Sequence, residues 1–187
     1  MNTCYIYLAE GFEEIEALAT VDILRRAGLE VKTVSISINP EVSGAHGIKV
    51  MADMTYESGD YADAAWMILP GGLPGATNLA AYEPLTLALQ ARNLRGGKIA
   101  AICASPGVVL APLGIVKGKK ATAYPGFEDA LTQGGATAMP DGVVVDGNVI
   151  TGRGPGYTFA FALEIVRQTL GDNAADQVAQ GMLLNEK

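Results

Sequence analysis

The sequence predicts an α/β domain: a doubly wound, mostly parallel sheet with a nucleophile elbow and small β-hairpin excursions. Three observations predict it. Short apolar runs alternate with helical stripes, as in strands buried on both faces. Glycine- or cysteine-bearing turns follow three of those runs, at strand carboxyl ends, where ligands of open α/β sheets bind. The composition, 49% hydrophobic and 18% charged over 187 residues, suits one compact domain spanning 1–187.

Thr3 to Ala9 is the first β-rich run, and Glu10-Gly11 turns it. From Glu13 to Ala27, the spacing of Ala17, Val21, Leu24 and Gly28 draws one helical stripe. Gly28, just past Arg25 and Arg26, stops that helix, and Val31 to Ser37 is the second strand. Turn residues through 38–59 predict a hairpin-like excursion. The alternation resumes with a strand at Ala65–Leu69, a helix over roughly 76–92 and a strand at Lys98–Cys103. Ser105-Pro106 reads as an N-cap followed by proline at the first helical position. A strand at 119–124, a helix at Phe127–Thr132 and a second hairpin marked by Asp141-Gly142 and Asp146-Gly147 come next. Tyr157 to Leu170 is apolar on most faces and predicts a well-buried helix, with a short helix after Asp172.

Charge and cysteine usage exclude several functions. A net charge of −7 offers no basic surface for nucleic acid. No apolar run reaches the ~18–20 residues that span a bilayer, and the first residues lack the basic region of a secretory signal. Cys4 and Cys103 form neither a disulfide framework nor a CxxC pair, and with His46 the sole histidine no Cys/His metal site is expected. A cytoplasmic location follows as the expectation.

The three turns carry the chemistry. In "KIAAICASPGVV", Cys103 ends a buried strand between the small residues Ala101 and Ser105, which matches a nucleophile elbow, or else a small core filler. A helix start just after it would favour the thiolate. In "LPGGLPGATNL", Gly72 and, after the cysteine, Ala104 present backbone N–H groups suited to an oxyanion hole, or else a plain strand–helix turn. In "AEGFEEIEA", Glu13 and Glu14 sit where a helix start favours negative charge. Glu16 adjoins the apolar face, where a desolvated carboxyl holds its proton and serves as an acid or base.

Together with "DILRRAGLEV" and "TGRGPGYTFAFALEIV", these motifs resemble, nearly end to end, the ThiJ/PfpI superfamily and within it the subfamily of the parkinsonism-associated protein deglycase and its bacterial relatives. The resemblance implies a flavodoxin-like sandwich, commonly a homodimer. It assigns Cys103 as the reactive, easily oxidised cysteine and Glu16 as the protonated carboxyl at its sulfur. Gly71 and Gly72 become backbone donors, and Ala104 the residue after the nucleophile. Ser105, Tyr124 and the Arg153-Gly154-Pro155 segment lie near the pocket. Two positions depart from relatives: Tyr124 stands where some have a histidine, and His46 where a well-known member has an arginine reaching the partner subunit's pocket.

The function implied is a glyoxalase or deglycase that acts on small α-oxoaldehydes such as methylglyoxal and glyoxal, or on their early protein or nucleotide adducts, without metal or organic cofactor. A redox-responsive protective protein, oxidised at Cys103 and with a chaperone-like output, is the alternative. A cysteine peptidase or amidase is disfavoured because no histidine stands in the expected position.

Overall fold

The computed structural model describes residues 3–184. In chain order the main elements are β1 (Cys4–Leu8), α1 (Glu14–Arg26), β2 (Val31–Ser35), β3 (Glu41–Ser43), β4 (Lys49–Met51), β5 (Met54–Thr55) and β6 (Trp66–Leu69). There follow α2 (Gly75–Ala81), α3 (Glu83–Leu94), β7 (Ile99–Ile102), β8 (Lys120–Ala121), α4 (Glu128–Gln133) and β9 (Thr137–Ala138). The chain closes with β10 (Val143–Asp146), β11 (Val149–Gly152), α5 (Thr158–Leu170) and α6 (Asp172–Gly181).

Seven strands form the central sheet in the order β10-β11-β7-β6-β1-β2-β5, and only the β10–β11 pair is antiparallel. Alternation along β1 shows why both faces are covered. Ile6 and Leu8 join Ala17 and Leu24 of α1 and Phe161 and Ile165 of α5 in one buried layer. Tyr7 points to the other face, among Leu85 and Leu89 of α3 and Leu131 of α4. Each strand of a parallel sheet thus buries both rows of side chains, which explains its nearly continuous apolar sequence. Gly28 ends α1 as expected: at φ +78° it takes the left-handed conformation that closes a helix.

Several elements differ from the sequence reading. The single helix over 76–92 is two helices, separated at Tyr82, which is extended at φ −86°, ψ 93°. Pro84 supplies no backbone N–H to the preceding turn and its ring crowds that turn, so the second helix has to start anew. The strand at 119–124 shrinks to β8, which pairs with β9 outside the central sheet. Helix α5 is buried on one face only, against α1 and α6; Phe159 and Leu170 stay 40% and 38% exposed. Both hairpins form, as β3–β4 and β10–β11, while β5 returns to the sheet as an edge strand beside β2.

Candidate active site

The three turns singled out in the sequence converge above the carboxyl ends of β1, β6 and β7. Glu13 N–H donates to Gly71 O (3.0 Å), Gly75 N–H to Gly11 O (3.1 Å), and Ser105 Oγ–H to Pro70 O (2.5 Å). These bonds fix one loop against the next before any substrate arrives.

Cys103 is the elbow. Its φ of +65° lies in the left-handed region, which a residue with a side chain occupies at a cost of roughly 1–3 kcal/mol. Backbone bonds on both sides hold it there: its N–H donates to Gly152 O (2.9 Å), and Tyr124 N–H donates to its carbonyl (2.8 Å). The side chain keeps 9% exposure, whereas Cys4 is sealed within the sheet.

Beyond the elbow the expected capped α-helix does not appear. Residues Pro106–Leu110 form a π-helical turn, and Ser105 is itself helical at φ −62°, ψ −34° without capping it. Fully buried, Ser105 ties the elbow to Pro70 and does not line a pocket.

Glu16 projects from the first turn of α1 and is 1% exposed. Glu13 caps that turn by accepting from Glu16 N–H (2.8 Å), which orients the next carboxyl inward. Glu16 Oε2 accepts from Gly71 N–H (2.7 Å), while Oε1 is buried with no partner among the described residues. The carboxyl also lies beside the Cys103 thiol. Both groups crowd Gly71: a Cβ built there would lie 2.8 Å from Glu16 Oε2 and 3.0 Å from Cys103 Sγ.

This crowding sets the electrostatics. Burial raises the Glu16 carboxyl to about 7, against the pull of the Gly71 N–H and the Cys103 thiol. Burial also pushes the Cys103 thiol up to about 12; the Glu16 carboxylate adds to the push, and the N–H groups of Gly72 and Ala104 at the sulfur oppose it. The expected stabilisation of the thiolate by the elbow is therefore present as donors but outweighed by desolvation. Two acids in contact in a dry site do not ionise together, so the pair keeps both protons below about pH 7 and one proton above it.

Gly71, expected as a backbone donor beside the nucleophile, does not serve the sulfur. Its N–H is taken by Glu16, so the donors that face the sulfur are those of Gly72 and Ala104. Gly71→Ala would press a methyl group within 2.6 Å of Cys103 Cβ. Overpacking of this kind costs about 2 kcal/mol, or a Tm lower by about 4–8 °C in thermal denaturation. Gly72 sits at φ +88° with its Cβ position 2.5 Å from Gly11 O, so it too excludes a side chain.

Glu16 makes stability depend on pH in a defined direction. Its ordinary value of 4.5 applies to the unfolded chain, so raising it in the fold favours folding fully below pH 4.5 and progressively less as pH rises through about 7. A carboxyl moved from 4.5 to about 7 corresponds to a loss of about 3 kcal/mol across that window. Urea denaturation at pH 5 and pH 8 is expected to show this loss in the wild type and not in Glu16→Gln.

His46 does not reach Cys103 within the chain. Its Nδ1 lies 2.8 Å from Glu14 Oε2, and its backbone N–H donates to Glu14 Oε1 (2.7 Å). Glu14, buried at 4%, thereby anchors the β3–β4 hairpin to α1. That role went unseen in the sequence, where Glu13 and Glu14 alike read as charges favoured at a helix start. Tyr124 and Arg153 do line a small cavity of about 190 Å³, together with Pro125 and Tyr157. Arg153 is positioned by Pro140 O (2.9 Å) and Glu128 (3.7 Å).

Comparison with known proteins agrees with this geometry. Residues 2–168 match the DJ-1/PfpI family. "Parkinson disease protein 7 homolog" of Danio rerio is 38% identical over 97% of this chain and 96% of its own length. "Glutathione-independent glyoxalase DJR-1.2" of Caenorhabditis elegans is 36% identical over 94% of this chain and 92% of its own. "Protein DJ-1 homolog A" of Arabidopsis thaliana is 38% identical over 98% of this chain, which spans only 47% of that protein. Among solved structures, oxidized Toxoplasma gondii DJ-1 superposes with a TM-score of 0.93 at 33% identity, covering 98% of both chains. These relatives share the mostly parallel, helix-flanked sheet described above, a flavodoxin-like α/β fold. The motifs at Glu16, Gly71-Gly72 and Cys103 thus sit in a recognised setting, and the chain belongs to the DJ-1/PfpI family.

Proposed function

We propose that the protein is a cofactor-independent enzyme that converts small α-oxoaldehydes, methylglyoxal foremost, to hydroxy acids through Cys103. The observation that carries this reading is the buried Glu16 carboxyl beside the Cys103 thiol, one of its oxygens unpartnered among the described residues, with the N–H groups of Gly72 and Ala104 at the sulfur. A relative named as a glutathione-independent glyoxalase supports the reaction class.

The sulfur adds to the aldehyde carbon, forming a C–S bond, and the former carbonyl oxygen takes a proton to give a hemithioacetal. Glu16, as carboxylate, removes the proton on that carbon and returns one to the adjacent carbon, converting ketone and hemithioacetal into a hydroxy-acyl thioester. Water cleaves the thioester, releasing the hydroxy acid and the thiol. Aldehyde plus water equals hydroxy acid, so no oxidant or reductant is consumed. Early adducts of the aldehyde with protein or nucleotide amines enter by the same attack, the deglycase form of the reaction. The cavity at Tyr124 and Arg153 takes the rest of the substrate.

Peptide-mass analysis of protein quenched during turnover tests this. An adduct of one methylglyoxal on Cys103, with Cys4 free, is the expected result; adducts on lysines and arginines alone contradict it.

The working form in this reading is a homodimer in the cytoplasm. Ile15 and Leu18 on α1 and Ile48 and Met51 on the hairpin, exposed apolar residues around the Glu14–His46 anchor, would form the contact in this reading, with His46 turned to the partner's site. Analytical ultracentrifugation is expected to give twice the chain mass.

A second reading rests on the residual exposure of Cys103, which Cys4 lacks. Two equivalents of peroxide would oxidise the thiol to the sulfinic acid with release of two waters, and the Gly72 and Ala104 donors would hold its oxygens. Intact mass after mild peroxide is expected to gain two oxygens at Cys103 only. A redox-dependent, chaperone-like interaction is the output this reading assigns.

A further inference from the structure

A cavity of about 550 Å³ shares no lining residue with the Glu16–Cys103 site. One wall is the segment from Tyr56 to Ala62, and the other is Tyr82 with the Pro84–Ala88–Ala91–Arg95 face of α3. Five of the chain's seven tyrosines gather here. Tyr56 and Tyr61 are stacked at 4.7 Å, and Tyr82 meets Tyr56 edge-on at 5.1 Å. Hydrogen bonds hold two of these rings: Tyr56 Oη–H donates to Pro84 O (2.9 Å) and Tyr61 Oη–H to Tyr56 O (2.8 Å). Half-buried tyrosines fixed in this way offer ring faces rather than mobile side chains.

Charge is divided between the walls. Arg92 is committed to the chain, donating to the carbonyls of Ala62, Ala64 and Ala65, with its Nε buried and unpartnered among the described residues. Arg95, exposed at the end of α3, makes no ion pair among the described residues. Glu57 and Asp60 lie on the opposite wall. Behind Tyr56 and Tyr61 sits Tyr7, at 0% exposure, whose hydroxyl finds no partner among the described residues. A cavity of this size, walled by tyrosine rings and with the Arg95 guanidinium at its edge, has the makings of a ligand site.

We propose that this cavity binds a planar aromatic ligand carrying one anionic group, its ring stacked on the tyrosines and its acid at Arg95. Aromatic ring faces stack planar rings with little regard to sequence or substituent. Arg95, just past the end of α3 and without the carbonyl partners that occupy Arg92, and the carboxylates on the facing wall orient the acidic group toward the helix end. The site is independent of the chemistry at Cys103.

Titration followed by calorimetry and saturation-transfer NMR tests the proposal with four probes: adenosine monophosphate, adenosine, indole carboxylate and indole. Binding of at least one anion, about tenfold tighter than its neutral counterpart, is expected, the share of one charge-assisted contact. Which anion binds distinguishes a phosphate from a carboxylate source. Arg95→Glu is expected to remove that tenfold preference and Tyr82→Leu to weaken both members of the pair, with methylglyoxal turnover unchanged in either variant. Cys103→Ala is expected to bind the probe as the wild type does. The proposal is overturned if neither anion binds at millimolar concentration, if Arg95→Glu binds as well as the wild type, or if Cys103→Ala loses binding.

Discussion

Replacing Cys103 by alanine is expected to reduce methylglyoxal turnover to the uncatalysed background, a loss of at least about a thousandfold, with the fold retained. Removal of an enzyme's nucleophile leaves only binding and backbone donors to act on the substrate, and losses of that order or larger follow. The substitution is sterically mild because it deletes one sulfur from a site that keeps 9% exposure. Alanine meets the same cost at φ +65° as cysteine, and the bonds to Gly152 and Tyr124 use only backbone atoms. Circular dichroism is therefore expected to be unchanged while lactate formation stops. A variant that retains wild-type turnover would remove Cys103 from the chemistry.

Glu16→Gln is expected to lower turnover by about a hundred- to a thousandfold, within the range of general acid–base catalysis. Glutamine keeps the shape and the oxygen that accepts from Gly71 N–H, so the loop geometry survives. What it loses is a carboxyl able to exchange a proton, the role proposed for Glu16. The Cys103 adduct is then expected to form and to persist, because addition of sulfur does not require the carbon proton to move. The pH profile separates this role from a merely structural one. With Glu16 raised to about 7, wild-type kcat/KM is expected to rise as pH increases through about 7, when the Glu16–Cys103 pair loses its first proton. In Glu16→Gln that rise is expected to disappear. An unchanged profile would place the essential ionisation elsewhere.

Much of the fold was legible because parallel strands buried on both faces leave continuous apolar runs, as in "AAWMIL" and "KIAAIC". The convergence of the three turns followed from their position at strand carboxyl ends. Local chemistry was less legible. Pro84 marked the break between α2 and α3, yet the apolar pattern ran across it. The π-helical turn after Cys103 is set by packing around the elbow, and "SPGVVL" reads equally well as an α-helix start. The balance at the sulfur was out of reach for another reason: N–H donors were predictable from a turn, but the depth of burial that outweighs them is a property of the whole assembly. The tyrosine-lined cavity was invisible, since Tyr5 and Tyr7 on β1 meet Tyr56 and Tyr61 across roughly fifty residues of chain, and Tyr82 comes to Tyr56 from a separate helix start.

Glu14 and Glu16 illustrate how position decides role. Both are buried glutamates in the first turn of α1. Glu14 is held below the ordinary carboxylate value by hydrogen bonds from His46 and Ile48, in spite of burial, and it remains a structural anion that fixes the hairpin. Two residues on, Glu16 meets one backbone N–H and a thiol, and burial dominates. The difference in donors separates a structural carboxylate from one poised to exchange a proton near neutrality.

The most direct test is a mass balance for methylglyoxal incubated with the wild-type protein in the absence of added thiol. One lactate for each aldehyde lost, over many turnovers per protein chain, is the predicted result. Aldehyde that disappears without lactate, or that stops disappearing after one equivalent per chain, would contradict catalysis through the Glu16–Cys103 pair.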